Sequence, residues 1–329
     1  MKICVVNASN PRNPQGNDSY TDFRNYSTWE DAKWRSWHSL ACSQRSEFFA
    51  YNGDNFHRVY EYDGIILLVN DSPDLLIPFI RKLKLMKKKV LVGYHEGFGD
   101  FNLKVSNINS DFLKCLKKTV AESDGYWNVI PSANNIYESL LKKKSYSCVH
   151  GIPYKEWEHN LKVPFREREG ILIATRTFDQ RIRRNTLISL VEANNFAKEV
   201  GTRVTFVSEH PIHKLWTWKD FELEAVDVIQ GPFPYIEWLK LIAKHRLVVH
   251  YDMSYTLGQI VCDAALVDVP CVGGNSENNI LANSWSGLDD LPNVIRNFYE
   301  GSEETCRNLY EDTEMLNVGV RVKSHFRSL

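Results

Sequence analysis

Short apolar runs alternate along the whole chain with segments whose apolar residues recur at helical spacing. Residues 64–69 (GIILLV) and 90–94 in the first half read as strands buried on both faces, as do 171–174, 203–207, 226–229 and 247–249 in the second. Shorter runs at 2–6, 125–130, 146–149 and 270–272 add four more strands. Helical periodicity marks 28–49, 73–89, 111–122, 133–141, 186–199, 235–244 and 259–266, and a further helical segment begins near Leu288. Strand and helix alternate in both halves, which predicts an α/β protein of two doubly wound domains. The charged stretch 154–170, carrying Pro164, separates them. The expected layout is a first domain over 1–155, a linker over 156–169, and a second domain over 170–329 that includes the C-terminal helices.

Open parallel sheets bind ligands beyond the carboxyl ends of their strands, so the segments that follow strands carry the candidate chemistry. After the first strand comes NASNPRNPQGNDSYT, a loop because Pro11 and Pro14 exclude helix, with Gly16 inside it. His95-Glu96-Gly97 follow the 90–94 strand and are candidates for proton transfer or for holding substrate hydroxyls. After 171–174 comes TRTFDQRIRR, with Arg176, Arg181, Arg183 and Arg184; arginine clamps phosphate oxygens in a bidentate fork. The 247–249 strand opens into a polar loop, 251–256, closed by Leu257 and Gly258 before the helix at 259–266. A strand, a glycine turn and a helix N-terminus present free backbone N–H groups to an anion. Asp263, about one and a half turns into that helix, can reach a ligand's hydroxyls. Together these features predict a diphosphate site, with Asp263 accepting from a ribose.

Composition narrows the classes. Of 329 residues, 43% are hydrophobic and 25% charged, which is a globular balance, and a net charge of −1 argues against a general nucleic-acid binder. The seven cysteines form no CxxC pair, so the expectation is reduced thiols in the cytoplasm. No apolar run approaches the roughly 18 residues of a membrane span. The basic run RKLKLMKKK fits either a solvated helix face or, through Lys82–Lys89, peripheral contact with an anionic membrane surface. No GxGxxG follows the first strand of either half, which weighs against a nicotinamide-dependent dehydrogenase.

The second half resembles the C-terminal domain of the GT-B glycosyltransferases, in particular the large retaining family that includes glycogen and sucrose synthases. Arg176 and Arg181 match that family's Arg and, five residues on, its Lys. Gly258, Asp263, Ala264, Pro270 and Val272 fall at the spacings of its Glu-x-x-Gly-x-x-x-x-Glu-Ala run and the Pro-Val that follows. Tyr255 stands at the first Glu position, with Asp252 nearby, and Ser208-Glu209-His210 replace a glycine-rich turn. More weakly, the Gly16 loop, His95 and the HGIP turn at 150–153 resemble the family's donor-side loop, its His and its Asn-Gly-Val turn.

The resemblance implies two Rossmann-like domains facing a cleft and transfer of a sugar from a nucleotide-diphosphate donor, with no metal or other cofactor and with retention of configuration. It makes Arg176 and Arg181 the neutralisers of the leaving diphosphate and His95 a contact to the sugar. Gly16, Ser254, Tyr255, Thr256, Leu257, Gly258 and Asp263 become donor contacts. The acceptor stays open among a glycan, a lipid, a small molecule and a modified nucleobase. A nucleotide-sugar epimerase of the same fold and an inactive nucleotide-sugar-binding module are the alternative readings.

Overall fold

The structure, a computed structural model, describes residues 1–8, 24–25, 47–51, 57–94, 98–106, 111–147, 161–174, 186–208, 221–231, 233–250, 259–272, 296, 299 and 326–329. The chain divides into two units, one of Met1–Gly151 with Asn317–Leu329 and one of Ile152–Leu316.

Among the described residues, the first unit is built on a seven-stranded sheet. Its strands are β1 (Ile3–Ala8), β2 (Arg24–Asn25), β3 (Glu47–Ala50), β4 (Gly64–Val69), β5 (Lys89–Tyr94), β6 (Gly125–Asn128) and β7 (Ser145–Ser147), in the order β2-β3-β1-β4-β5-β6-β7. Every pairing is parallel except β2 with β3. Every residue of β1 and β4 is buried, as continuous apolar runs covered on both faces require. From β4 to β7 the chain steps across the sheet in one direction. Right-handed crossovers therefore place α1 (Ile77–Leu85), α3 (Phe112–Glu122) and α4 (Asn134–Leu141) on one face. α3 buries Phe112, Leu116, Thr119 and Val120, a stripe at helical spacing.

Three features differ from the sequence-based expectation. The helix expected over 28–49 gives way at its end to β3, whose Phe48 and Phe49 pair with Val5 and Val6 of β1; residues 28–46 lie outside the described residues. The helix expected over 73–89 starts as a 3-10 turn at Pro73–Leu76 and stops at Leu85, because Lys87 turns left-handed (φ 57°) and Lys89 opens β5. An unanticipated helix, α2 (Phe98–Ser106), inserts Phe101 among Tyr94, Phe112 and Tyr137, at ring separations of 5.3–6.2 Å.

The end of the chain corrects the expected domain layout. Residues 326–329 belong with the first unit instead of closing the second. The Phe326 ring is fully buried against Gly64, where an added Cβ would lie 2.7 Å from the ring, so only glycine admits it. The Phe326 carbonyl accepts from Lys89 Nζ at 2.8 Å.

The second unit holds a five-stranded, wholly parallel sheet of β8 (Ile171–Ala174), β9 (Val204–Ser208), β10 (Val226–Gln230), β11 (Leu247–Val249) and β12 (Cys271–Val272), in the order β10-β9-β8-β11-β12. Its helices are α5 (Thr186–Val200), α6 (Tyr235–Ala243) and α7 (Gln259–Leu266). The described part of the expected linker, 161–169, is docked onto this unit. Buried Arg168 donates to the carbonyls of Val163 (2.7 Å) and Asp268 (2.5 Å), and Lys162 pairs with the Asp268 carboxylate at 2.8 Å.

His245, buried before β11, is held in one tautomer. Nδ1–H donates to the Leu241 carbonyl at 2.8 Å, which leaves Nε2 to accept from the Thr205 hydroxyl at 2.8 Å. Burial lowers its pKa below the ordinary 6.5.

Two outcomes follow. Phe326→Ala should destabilise the first unit by about 3–5 kcal/mol in a urea melt of the full chain. For His245, the unfolded state takes up the proton first as pH falls. Its stabilising contribution is therefore complete above pH 6.5 and is lost on acidification below it. His245→Gln should flatten the dependence of melting temperature on pH between that point and about pH 5.

Candidate functional site

The second unit reverses direction at one place in its sheet. From β8 the chain steps outward to β9 and β10, then returns to the other side of β8 as β11 and continues to β12. β8 and β11 pair directly, with Leu247, Val248 and Val249 opposite Ile171, Leu172 and Ile173. Their carboxyl ends form the topological switch point, where an open α/β sheet binds its ligand. The segment carrying Arg176 and Arg181 leaves β8 here, and the segment carrying Ser254, Tyr255, Thr256, Leu257 and Gly258 leaves β11. These residues themselves lie outside the described residues, as do Gly16 and His95.

Two helix N-termini lead back from this edge. α5 and α7 follow crossovers in opposite directions, so they cover opposite faces of the sheet. The first turn of each has backbone N–H groups without an intrahelical partner, and each carries the positive end of a helix dipole. At the start of α5, Thr186 is 4% exposed and Ser189 is 1% exposed, and neither hydroxyl has a hydrogen-bond partner among the described residues. They sit three residues apart on one helical face, and helical side chains lean toward the N-terminus, so both belong to the helix end at the switch point. A buried hydroxyl left unpaired is costly. This pair is absent from the sequence-based candidates; its signal was two small polar residues at i, i+3 in the first turn of a helix that follows an arginine-rich segment. Ser208 and His250, also buried, end β9 and follow β11 on the same edge.

Asp263, the one predicted site residue among the described residues, has a different environment from the expected ribose contact. It is 1% exposed. Its Oδ1 accepts from the Tyr235 hydroxyl at 2.6 Å and its Oδ2 from the Trp238 indole N–H at 2.9 Å. Both donors are buried on α6, so the carboxylate is a strut that binds α7 to α6. Tyr235 and Trp238 lie at i, i+3 on one face, and the two-carbon reach of an aspartate keeps its oxygens within the helix–helix seam. That spacing in YIEW, beside a helix whose one charged residue is Asp263, was the available signal for the pair.

In the first unit, polar side chains of β6 and β7 meet the start of α4. Asn128 Nδ2 donates to Asn134 Oδ1 (2.7 Å) and to the Ser145 hydroxyl (2.8 Å), and Asn134 Nδ2 donates to the Ser147 hydroxyl (2.7 Å). The network satisfies buried polar groups and ties the start of α4 to two strand ends. β5 ends at Tyr94, whose N–H donates to Tyr126 Oη at 3.3 Å. Burial pushes the Tyr126 hydroxyl well above its ordinary pKa and keeps it protonated.

No protein-family profile matches the sequence, and no curated protein does. Solved structures do. A glycosyltransferase from Rickettsia africae superposes with a TM-score of 0.63 at 9% identity, over 99% of this chain and 97% of the other. Sucrose-phosphate synthase from Thermosynechococcus elongatus gives 0.59 at 12% identity, over 100% and 99%. A UDP-forming alpha,alpha-trehalose-phosphate synthase from Burkholderia xenovorans, in complex with glucose-6-phosphate, gives 0.56 at 11% identity, over 89% and 81%. Some neighbours are longer; the chain spans 59% of its match in a GtfA/B complex, at a TM-score of 0.57 and 11% identity. At these identities the likeness establishes the fold, and that fold is the two-domain α/β architecture of the GT-B glycosyltransferases.

Asp263→Asn would set an amide N–H against one of two N–H and O–H donors. It should lower stability by about 1–3 kcal/mol in a denaturant titration, an effect that a solvent-facing ligand contact would not produce in the unliganded protein.

Proposed function

We propose that this GT-B-fold chain is a glycosyltransferase that moves a sugar from a nucleotide-diphosphate donor to an acceptor hydroxyl or amine, with retention of configuration and without a metal. The observation that carries this reading is the switch point of the second unit. Two adjacent strand ends there open into an arginine-bearing and a glycine-bearing segment, and a helix N-terminus brings two unpartnered hydroxyls to the same edge. The chemistry suits a departing diphosphate. As the bond between the sugar's anomeric carbon and the phosphate oxygen breaks, negative charge grows on the leaving group and positive charge on the carbon. Arg176, Arg181 and the N–H groups of the first helical turns stabilise that negative charge. The acceptor forms the new bond to the same carbon and passes its proton to the departing phosphate oxygen, which the broken bond leaves as a base.

Gly16, Ser254, Tyr255, Thr256, Leu257 and Gly258 remain the proposed donor contacts, with His95 beside the sugar. Asp263 is left out of that set, because its oxygens already hold α6. The solved neighbours add support: one forms UDP, and others are named for sugar-phosphate synthesis and glycosyl transfer.

Nucleoside diphosphates should raise the melting temperature of the wild-type chain. Arg176→Ala or Arg181→Ala should cut turnover by about a hundredfold or more. Thr186→Val, which keeps the shape and removes an unpaired hydroxyl, should leave the unliganded protein as stable or more so while weakening the diphosphate-induced shift. EDTA should leave turnover unchanged. Interconversion of the donor with no acceptor present would assign the site to an epimerase instead.

A further inference from the structure

α3 and α4 lie side by side on one face of the first sheet, each running from a strand's carboxyl end back toward the amino ends. Two neighbouring helices leave a groove between their outer surfaces. Here it opens into a hollow of about 670 Å3. Lys117 of α3 lines it, with Asn135, Ile136, Ser139 and Leu140 of α4 and Lys142 just past the end of α4. The sugar-transfer reading uses none of these residues.

α4 carries one apolar stripe more than its core requires. Ala133, Tyr137 and Leu141 are buried, which is the stripe that holds the helix to the unit. A helix covering one face of a sheet needs no other. Ile136 and Leu140 form a second pair at i, i+4, on the groove side; Ile136 is 50% exposed and Leu140 is half-buried.

The charges at the hollow are of one sign. Lys117 and Lys142 are both exposed, and neither ammonium has a carboxylate within ion-pair distance among the described residues. The acids nearest in sequence are engaged elsewhere. Glu138 accepts from the Ser145 N–H at 2.9 Å, Glu122 pairs with Arg81 at 2.6 Å, and Asp124 pairs with Lys84. The neighbouring lysines have partners of their own: Lys143 Nζ donates to the Ala121 carbonyl at 3.4 Å, and Lys144 Nζ lies 5.2 Å from the centre of the Tyr146 ring. Two uncompensated ammonium groups beside one apolar pair fit an occupant that brings carboxylates and apolar side chains together.

We propose that this groove docks an acidic amphipathic helix of a partner protein, with its apolar side chains on Ile136 and Leu140 and its carboxylates at Lys117 and Lys142. A third helix meets a helix pair by laying its ridges into their groove, which projects side chains into the hollow. Asn135 and Ser139 supply polar contacts beside the apolar pair. A bilayer touches what protrudes and leaves a concavity unfilled, and a nucleic-acid backbone gains nothing from the apolar pair.

The test is fluorescence anisotropy of the full chain with a labelled peptide of repeating Glu-Ala-Leu-Glu-Glu-Leu-Leu, an acidic amphipathic helix. The control is its counterpart with lysine at every glutamate. Wild type should bind the acidic peptide, more weakly as salt rises, and should not bind the basic one. Lys117→Glu with Lys142→Glu should weaken the acidic peptide by about tenfold or more and admit the basic one. Ile136→Ser, at a half-exposed position, should melt at the wild-type temperature and bind the acidic peptide about fivefold more weakly. Phosphatidylglycerol-containing vesicles and a duplex oligonucleotide serve as competitors. Failure of wild type to bind the acidic peptide overturns the proposal, as does equal binding of the two peptides or an undiminished affinity in either variant. Displacement by the vesicles or the duplex overturns it too and assigns the groove to lipid or to nucleic acid.

Discussion

Parallel pairing of β8 with β11 is the constraint on which the second unit depends. Parallel neighbours cannot be joined by a tight turn, so each must be reached through a crossover long enough to hold a helix. Crossovers are right-handed, and the face a helix covers is therefore set by the direction in which the chain steps. Stepping from β8 toward β10 puts α5 on one face; stepping from β11 to β12 puts α7 on the other. At the β8–β11 boundary the chain steps in opposite directions from adjacent strands. The placement of the two helices on opposite faces, and the departure of the arginine-bearing and glycine-bearing segments from neighbouring strands, come from this one reversal.

Around that edge, polar groups are treated in two ways. The Asp263 carboxylate is fully engaged by Tyr235 and Trp238, which fixes the position of α7 relative to α6. A buried carboxylate is tolerated only with such partners. The hydroxyls of Thr186 and Ser189, on the other face, have none among the described residues. Natural proteins satisfy nearly all buried polar atoms, and exceptions concentrate where function needs the unmet capacity. The rigid side of the edge therefore lies at α7 and the chemically unmet side at α5.

The first unit engages its buried polar groups as fully: a network of Asn128, Asn134, Ser145 and Ser147 ties β6 and β7 to the start of α4.

Much of this architecture is legible in the sequence because uninterrupted apolar runs have few alternatives to a doubly covered parallel strand. GIILLV at 64–69 and ILIA at 171–174 form β4 and β8 as read. The helices at 111–122, 133–141, 186–199 and 259–266 are recovered to within a residue or so at each end. The lysine-rich stretch was misread as helix up to Lys89, because a left-handed residue that ends a helix leaves no mark in hydrophobic period when it is not glycine. Asp263 was read as a ligand contact because it lies one and a half turns into the helix that follows a glycine turn, and its spacing also matches a family pattern. Its reach and its α6 partners are set by two residues 25 and 28 positions away. Phe326 was assigned to the second unit because proximity in sequence was the only guide to its destination, whereas the space beside Gly64 decides it. Local periodicity, encoded over a few residues, thus determined the strands, the helices and the α/β class. Strand order, the direction reversal, the partner of each buried polar group and the return of the C-terminus depend on residues far apart in the chain, and only tertiary packing brings those together.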